Sequence, residues 1–95
     1  HTDASFGLGG LYFNNGADLN NEAKTMDLSD PNYQKTLDAS KESFNKALPH
    51  LEKAHADAPT DRIILVSLQQ LYGKLGMTEK FKETKAKIAA LDAEE

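Results

Sequence analysis

The feature that most constrains this chain is a three-four-three spacing of apolar residues that runs into a proline. Phe44, Ala47, Leu51 and Ala54 step this way, which puts all four on one face of a helix. Two of the four are alanines, so another helix can approach that face closely. Pro59 ends the run, because proline has no N–H and biases the residue before it away from helical geometry. The same steps return at Phe81, Thr84, Ile88 and Leu91. The pattern predicts an all-α fold.

Ninety-five residues suffice for one small domain or for a piece of a longer array. A hydrophobic share of 39% with no Trp predicts a thin core. The absence of Cys excludes disulfides, thiolate metal sites and cysteine nucleophiles. A net charge of -4 argues against nucleic acid as partner, since neutralising phosphates needs a basic surface. No apolar run approaches the roughly 20 residues of a membrane span, so no membrane insertion is expected. The chain begins at His1 rather than Met, without a basic start and apolar centre. It reads as an excerpt or a processed product, with a lean to a bacterial envelope or periplasm if a signal peptide was removed.

Four helices are predicted in order. The first runs from Ala4 to about Thr25, with Leu8, Leu11, Tyr12 and Ala23 able to share a face. Gly7, Gly9, Gly10 and Gly16 each weaken it by about 1 kcal/mol relative to Ala, which predicts a neighbour packed on bare backbone. A phosphate-cradling loop is disfavoured, because no strand precedes Gly7 and the nucleotide-binding spacings are missing. The chain turns between Met26 and Asn32, where Asp30 can cap and Pro31 can open the next helix. That helix reaches about Asp57 with Tyr33, Leu37, Phe44, Ala47, Leu48, Leu51 and Ala54 on or near its buried side. Its register continues through Pro49, predicting a kinked but continuous helix. Thr60 or Asp61 starts the third helix, Arg62 to about Leu75, burying Leu65, Leu68, Leu71 and Tyr72, with Gly76 as its stop. Thr78 is expected to cap the fourth, which ends near Leu91.

Self-comparison shows an internal repeat. Leu8, Leu11, Tyr12 and Gly16 match Leu68, Leu71, Tyr72 and Gly76 at an offset of 60, and the Phe44 and Phe81 runs match at 37. The first helix–turn–helix unit therefore holds 23 more residues than the second. Shared between two helices, the excess lengthens each by about 11 residues, roughly 17 Å, and projects the first hairpin beyond the second. Leu8-Gly9-x-x-Tyr12, Ala47-x-x-x-Leu51-x-x-Ala54 with Pro59, and Leu68-x-x-x-Tyr72 with Leu75-Gly76 resemble the tetratricopeptide (TPR) repeat family. The second unit is similar to C-terminal repeats of bacterial TPR-containing proteins. Gln69 and Thr84 depart from the small residues of that pattern. The resemblance implies two antiparallel helix pairs, stacked as a fragment of an α-solenoid, and a role in protein–protein interaction.

No constellation carries catalysis, and no cofactor is expected. His50 and His55 lie five apart and cannot form an i, i+4 metal pair; both are expected to face solvent. Asp27-x-Ser29-Asp30-x-Asn32 is oxygen-rich, but Pro31 and Asn32 stand where a calcium loop needs a ligand and a glycine. It reads as a helix cap. The lysines from Lys74 to Lys87 alternate with Glu79 and Glu83 in the manner of a solvated face with local ion pairs; an acidic-peptide or phosphate stripe is the rival reading.

The TPR resemblance implies that the first helix of each pair lines a concave binding surface. That assigns Phe6, Gly10, Phe13 and Asn14 from one unit, and Ile63, Val66, Ser67, Gln70 and Lys74 from the other. Phe13, Asn14, Ser67, Gln70 and Lys74 are the expected contacts to a protein or peptide partner. The clamp for chaperone-tail carboxylates is not expected, since Phe6, Gly10, Val66 and Gln70 hold its positions. Repeats of this kind need about three units for stability. The competing expectation is therefore a structural one: a C-terminal cap of a longer array, or a homodimer.

Overall fold

The computed structural model describes residues 2–93. Among them the chain forms α1 Thr2–Lys24, α2 Pro31–Asp57, α3 Arg62–Lys74 and α4 Thr78–Ala93, with no strand. The starts and stops follow local chemistry. Asp30 adopts extended geometry and accepts the N–H of Asn32 at 2.8 Å, with Pro31 behind it in the first helical position. Asp61 does the same for α3, accepting from Ile63 N at 3.0 Å and Ile64 N at 3.4 Å. At the end of α3, Gly76 takes φ +70°, a region open to glycine. This lets Gly76 N–H reach the Gly73 carbonyl at 3.2 Å and Met77 N–H the Tyr72 carbonyl at 2.9 Å, the paired bonds of a Schellman stop. Thr78 is not the cap expected for α4. It is the first helical residue, and the Met77 carbonyl accepts the N–H of Phe81 at 2.9 Å.

α2 is helical straight through Pro49. The ring is exposed, so the helix tolerates it on the solvent side, where water can reach the Asn45 carbonyl that loses its donor.

α1 lies antiparallel to α2, and the contact is made by small residues. Ser5, Gly9, Gly16 and Ala23 form its buried side. A Cβ on Gly9 would sit 2.7 Å from Leu51 Cγ, and one on Gly16 would sit 2.8 Å from the Phe44 ring. Ser40 and Ser43 continue this close seam from α2. Ser40 Oγ donates to the Gly16 carbonyl at 2.7 Å, and Asn15 Nδ2 donates to Ser43 Oγ at 2.6 Å. The expectation for Leu8 and Leu11 is corrected here. They are 45% and 65% exposed, because the bare-backbone face of α1, not its leucine face, is the one that fits α2. Gly7 and Gly10 have nothing within reach, so close packing accounts for two of the four glycines.

α3 then packs on α2. Phe44, Ala47, Leu51 and Ala54 meet Ile64, Leu68, Leu71 and Tyr72 in one core cluster. Each leucine buried there contributes about 1.5–3 kcal/mol. Tyr33, Leu37 and Leu48 are only half-buried. α4 runs antiparallel to α3: Arg62 holds Asp92 at one end, at 2.8 and 3.3 Å, and Phe81 lies over Gly73 at the other. α4 buries only Thr84 and Ile88. α1 exceeds α3 by ten residues and α2 exceeds α4 by eleven, close to the lengthening read from the repeat offsets. The molecule is 49 Å long and 26 by 18 Å across, as a 27-residue helix of about 40 Å requires.

Candidate functional site

α2 packs on both α1 and α3, and those two helices flank a groove with Leu51 of α2 at its floor. The groove has two connected stretches. One, about 350 Å³, is lined by Phe6, Gly10, Phe13 and Asn14 of α1, Ser67 and Gln70 of α3, and Leu51 below. The other, about 570 Å³, continues past Phe13 to Ala17, Asn20 and Asn21, opposite Gln70, Gly73 and Lys74. All five expected contact residues, Phe13, Asn14, Ser67, Gln70 and Lys74, line it, as do Phe6 and Gly10. Ile63 and Val66 do not. Ile63 projects outward, 67% exposed, and Val66 is half-buried outside the lining.

The geometry gives the groove an apolar floor and an amide-rich rim. Phe13 is tilted against Phe44 with ring centroids 5.4 Å apart, which fixes its position from below. Asn14, Asn20, Asn21 and Gln70 bring carboxamides, each able to donate and accept. Lys74 is the charged side chain among the described lining residues. From Ala4 to Ala17, and from Ile63 to Gly73, neither helix carries a charge. The extension to Ala17, Asn20 and Asn21 was missed from sequence. Residue type carries no signal for it: the register across the groove pairs Phe13 with Gln70 and Ala17 with Lys74, an offset of 57 at which the residues differ, while the leucine match lies at 60.

A second polar cluster lies on the far side of α2. His55, Glu52, Tyr72, Lys80, Glu83, Thr84 and Lys87 line a cavity of about 210 Å³ between α2, α3 and α4. Tyr72 Oη donates to Glu52 Oε2 at 2.8 Å, Lys80 Nζ stands 3.8 Å from the same oxygen, and Lys80 lies 5.8 Å over the Tyr72 ring. Burial, the bond to Glu52 and the charges of Glu52 and Glu83 push the Tyr72 phenol well above its usual value. Lys80 thus pairs across helices rather than only along α4.

The histidines also differ from the solvent-facing expectation. His50 stacks on Tyr12, centroids 5.7 Å apart and 13° from parallel. His55 turns the opposite way, with its Nδ1 buried and unbonded. Among the described residues no group of three His, Cys, Asp or Glu side chains is placed to hold a metal ion, and no helix is long and apolar enough to cross a membrane. The chain matches no protein-family model, no curated protein and no solved structure.

Proposed function

We propose that this chain is a TPR-like, non-catalytic interaction module that takes an extended protein or peptide segment in the α1–α3 groove. The observation that carries the reading is the lining itself: an apolar floor of Phe6, Phe13 and Leu51 under a rim of carboxamides. Carboxamides match the donor–acceptor pattern of a peptide backbone and ask for no particular side chain. From Phe6 to Asn21 the groove runs about 22 Å, the length of six or seven extended residues at about 3.3 Å each.

A second reading is favoured by Leu8 and Leu11. Their repeat partners Leu68 and Leu71 are buried in the contact of α3 with α2, so the matching face of α1 is suited to receive another helix. On that reading the chain is a structural cap of a longer repeat array, or one half of a homodimer, with the charged face of α4 turned to solvent.

The experiment is a selection from a random-peptide library against the parent chain, scored also on a variant with Asn14→Ala, Gln70→Ala and Lys74→Ala of unchanged melting temperature. Peptides retained by the parent and lost by the variant, with NMR shifts mapping to α1 and α3, support the groove. Peptides bound equally by both, or none at all, overturn it and leave the structural reading in front.

A further inference from the structure

The groove makes no use of His55, and the surroundings of that side chain are unusual in their own right. His55 belongs to α2 and looks into the cavity where α3 and α4 meet. Its Nδ1 is out of solvent and has no hydrogen-bond partner. A neutral imidazole has one N–H and one bare nitrogen. In the imidazolium both nitrogens carry an N–H, so the charged ring always presents a buried Nδ1–H with nothing to receive it.

The groups facing the ring from each element do not repair this. On α2, Glu52 lines the cavity, but its Oε2 holds the Tyr72 hydroxyl and Lys80, and neither of its oxygens bonds Nδ1. From α3 come Leu68 and the Tyr72 phenol, itself a donor to Glu52. From α4 come Lys80, Thr84, Glu83 and Lys87. The Thr84 hydroxyl is spent on the Lys80 carbonyl at 2.7 Å, and Glu83 makes no bond to Nδ1. Burial and the nearby Lys87 ammonium, in that order, hold the His55 proton affinity below the usual imidazole value.

We propose that His55 is an acid-sensitive latch: protonating it releases α4 from α2 and α3 while the α1–α2 hairpin stays folded. α4 is the element that yields because its hold is the slightest. It buries Thr84 and Ile88 alone, against six buried residues on α2 and five on α3. Helices with few buried contacts open first. Opening lets the Nδ1–H of the imidazolium reach water, separates the ring from Lys87, and uncovers Leu68 and Tyr72 where they line the cavity. A module with this latch changes its exposed surface when moved from a neutral to an acidic compartment.

The sign is fixed by linkage. The closed state binds fewer protons than the open one between the His55 midpoint and about pH 6.5, so docking weakens as pH falls through that window. The test is amide exchange of the whole chain at pH 7.5 and pH 5, corrected for intrinsic rates, beside an NMR titration of the His55 ring. Protection in α4 should drop relative to α1 and α2, by the factor set by the difference between the measured His55 midpoint and about 6.5, one power of ten per pH unit. His55→Gln should abolish the drop. Lys87→Gln should raise the His55 midpoint and shrink it, which keeps the test decisive if the glutamine variant folds poorly. A His55 midpoint at or above about 6.5, an unchanged α4, or equal loss from all four helices overturns the latch.

Discussion

Leu51 stands where any side chain on Gly9 would have to go: a Cβ there would lie 2.7 Å from both Leu51 Cγ and Cδ2 and 3.3 Å from its backbone nitrogen. The bare backbone of Gly9 is therefore a packing surface, and Leu51, fully buried, fills the space between α1 and α2. The same relation holds for Gly16 under the Phe44 ring.

The two kinds of glycine in α1 predict opposite outcomes. Gly9→Ala gains helix propensity of about 1 kcal/mol but must push a buried leucine and its backbone aside, an overpacking cost of about 1–3 kcal/mol. It should destabilise, or at best break even. Gly7→Ala meets nothing and should stabilise by about 1 kcal/mol. Urea denaturation of the pair, read as midpoints at constant slope, checks the contrast.

Tyr72 predicts an alkaline signature. Its phenol keeps its proton in the folded chain above the pH at which an unfolded tyrosine, near 10, gives it up. Stability from this group is thus complete below about pH 10 and falls as pH rises beyond it. Tyr72→Phe should cost about 1 kcal/mol at pH 8 by removing the bond to Glu52, and the gap should narrow at pH 11. Denaturation midpoints of both chains at the two pH values decide this.

Leu11 and Leu71 occupy matched positions in the repeat and opposite environments, 65% and 0% exposed. Leu71→Ala should cost about 2–5 kcal/mol, while Leu11→Ala should stay within about 0.5 kcal/mol in the isolated chain. Thermal melts of the two variants suffice. Equal losses would mean that α1 packs through its leucines in solution.

That pair also marks where the sequence was legible. Most helix limits set by short-range chemistry could be read: Asp30-Pro31 opens α2, Asp61, one of two candidates with Thr60, opens α3, and Gly76 closes it. Thr78 is not the cap of α4, because Met77 supplies the first accepting carbonyl. The core of α2 and α3 could be read because leucine, phenylalanine and alanine carry its period. The buried face of α1 could be read only in part: its glycines predicted a neighbour on bare backbone, as Gly9 and Gly16 have, but residue type does not separate those two from Gly7 and Gly10, and the repeat match at Leu8 and Leu11 marks a different face. The register that matters for the groove, Phe13 with Gln70 and Ala17 with Lys74, pairs dissimilar residues that share only a position. His55 fell outside any motif, since its partners come from two other helices.

Pro49 gives the last prediction. It sits in the interior of α2, which stays helical on both sides of it, so the backbone there already suits an ordinary residue. The proline withholds the N–H that would bond to the Asn45 carbonyl and crowds that carbonyl with its ring, together a cost of about 3 kcal/mol in a helix interior. Its side chain is exposed, so removal leaves no cavity. The residues that follow it, His50, stacked on Tyr12, and Leu51, packed on Gly9, keep their seats because the register does not change. Pro49→Ala should therefore stabilise the chain by about 1–3 kcal/mol, and amide exchange should find the N–H that the substitution introduces protected. If the variant is instead less stable, the restraint of the ring on α2 is what holds the Phe44 and Leu51 turns against Gly16 and Gly9 together. Pairing Pro49→Ala with Gly9→Ala would then show strong non-additivity, because the two changes act on one seam.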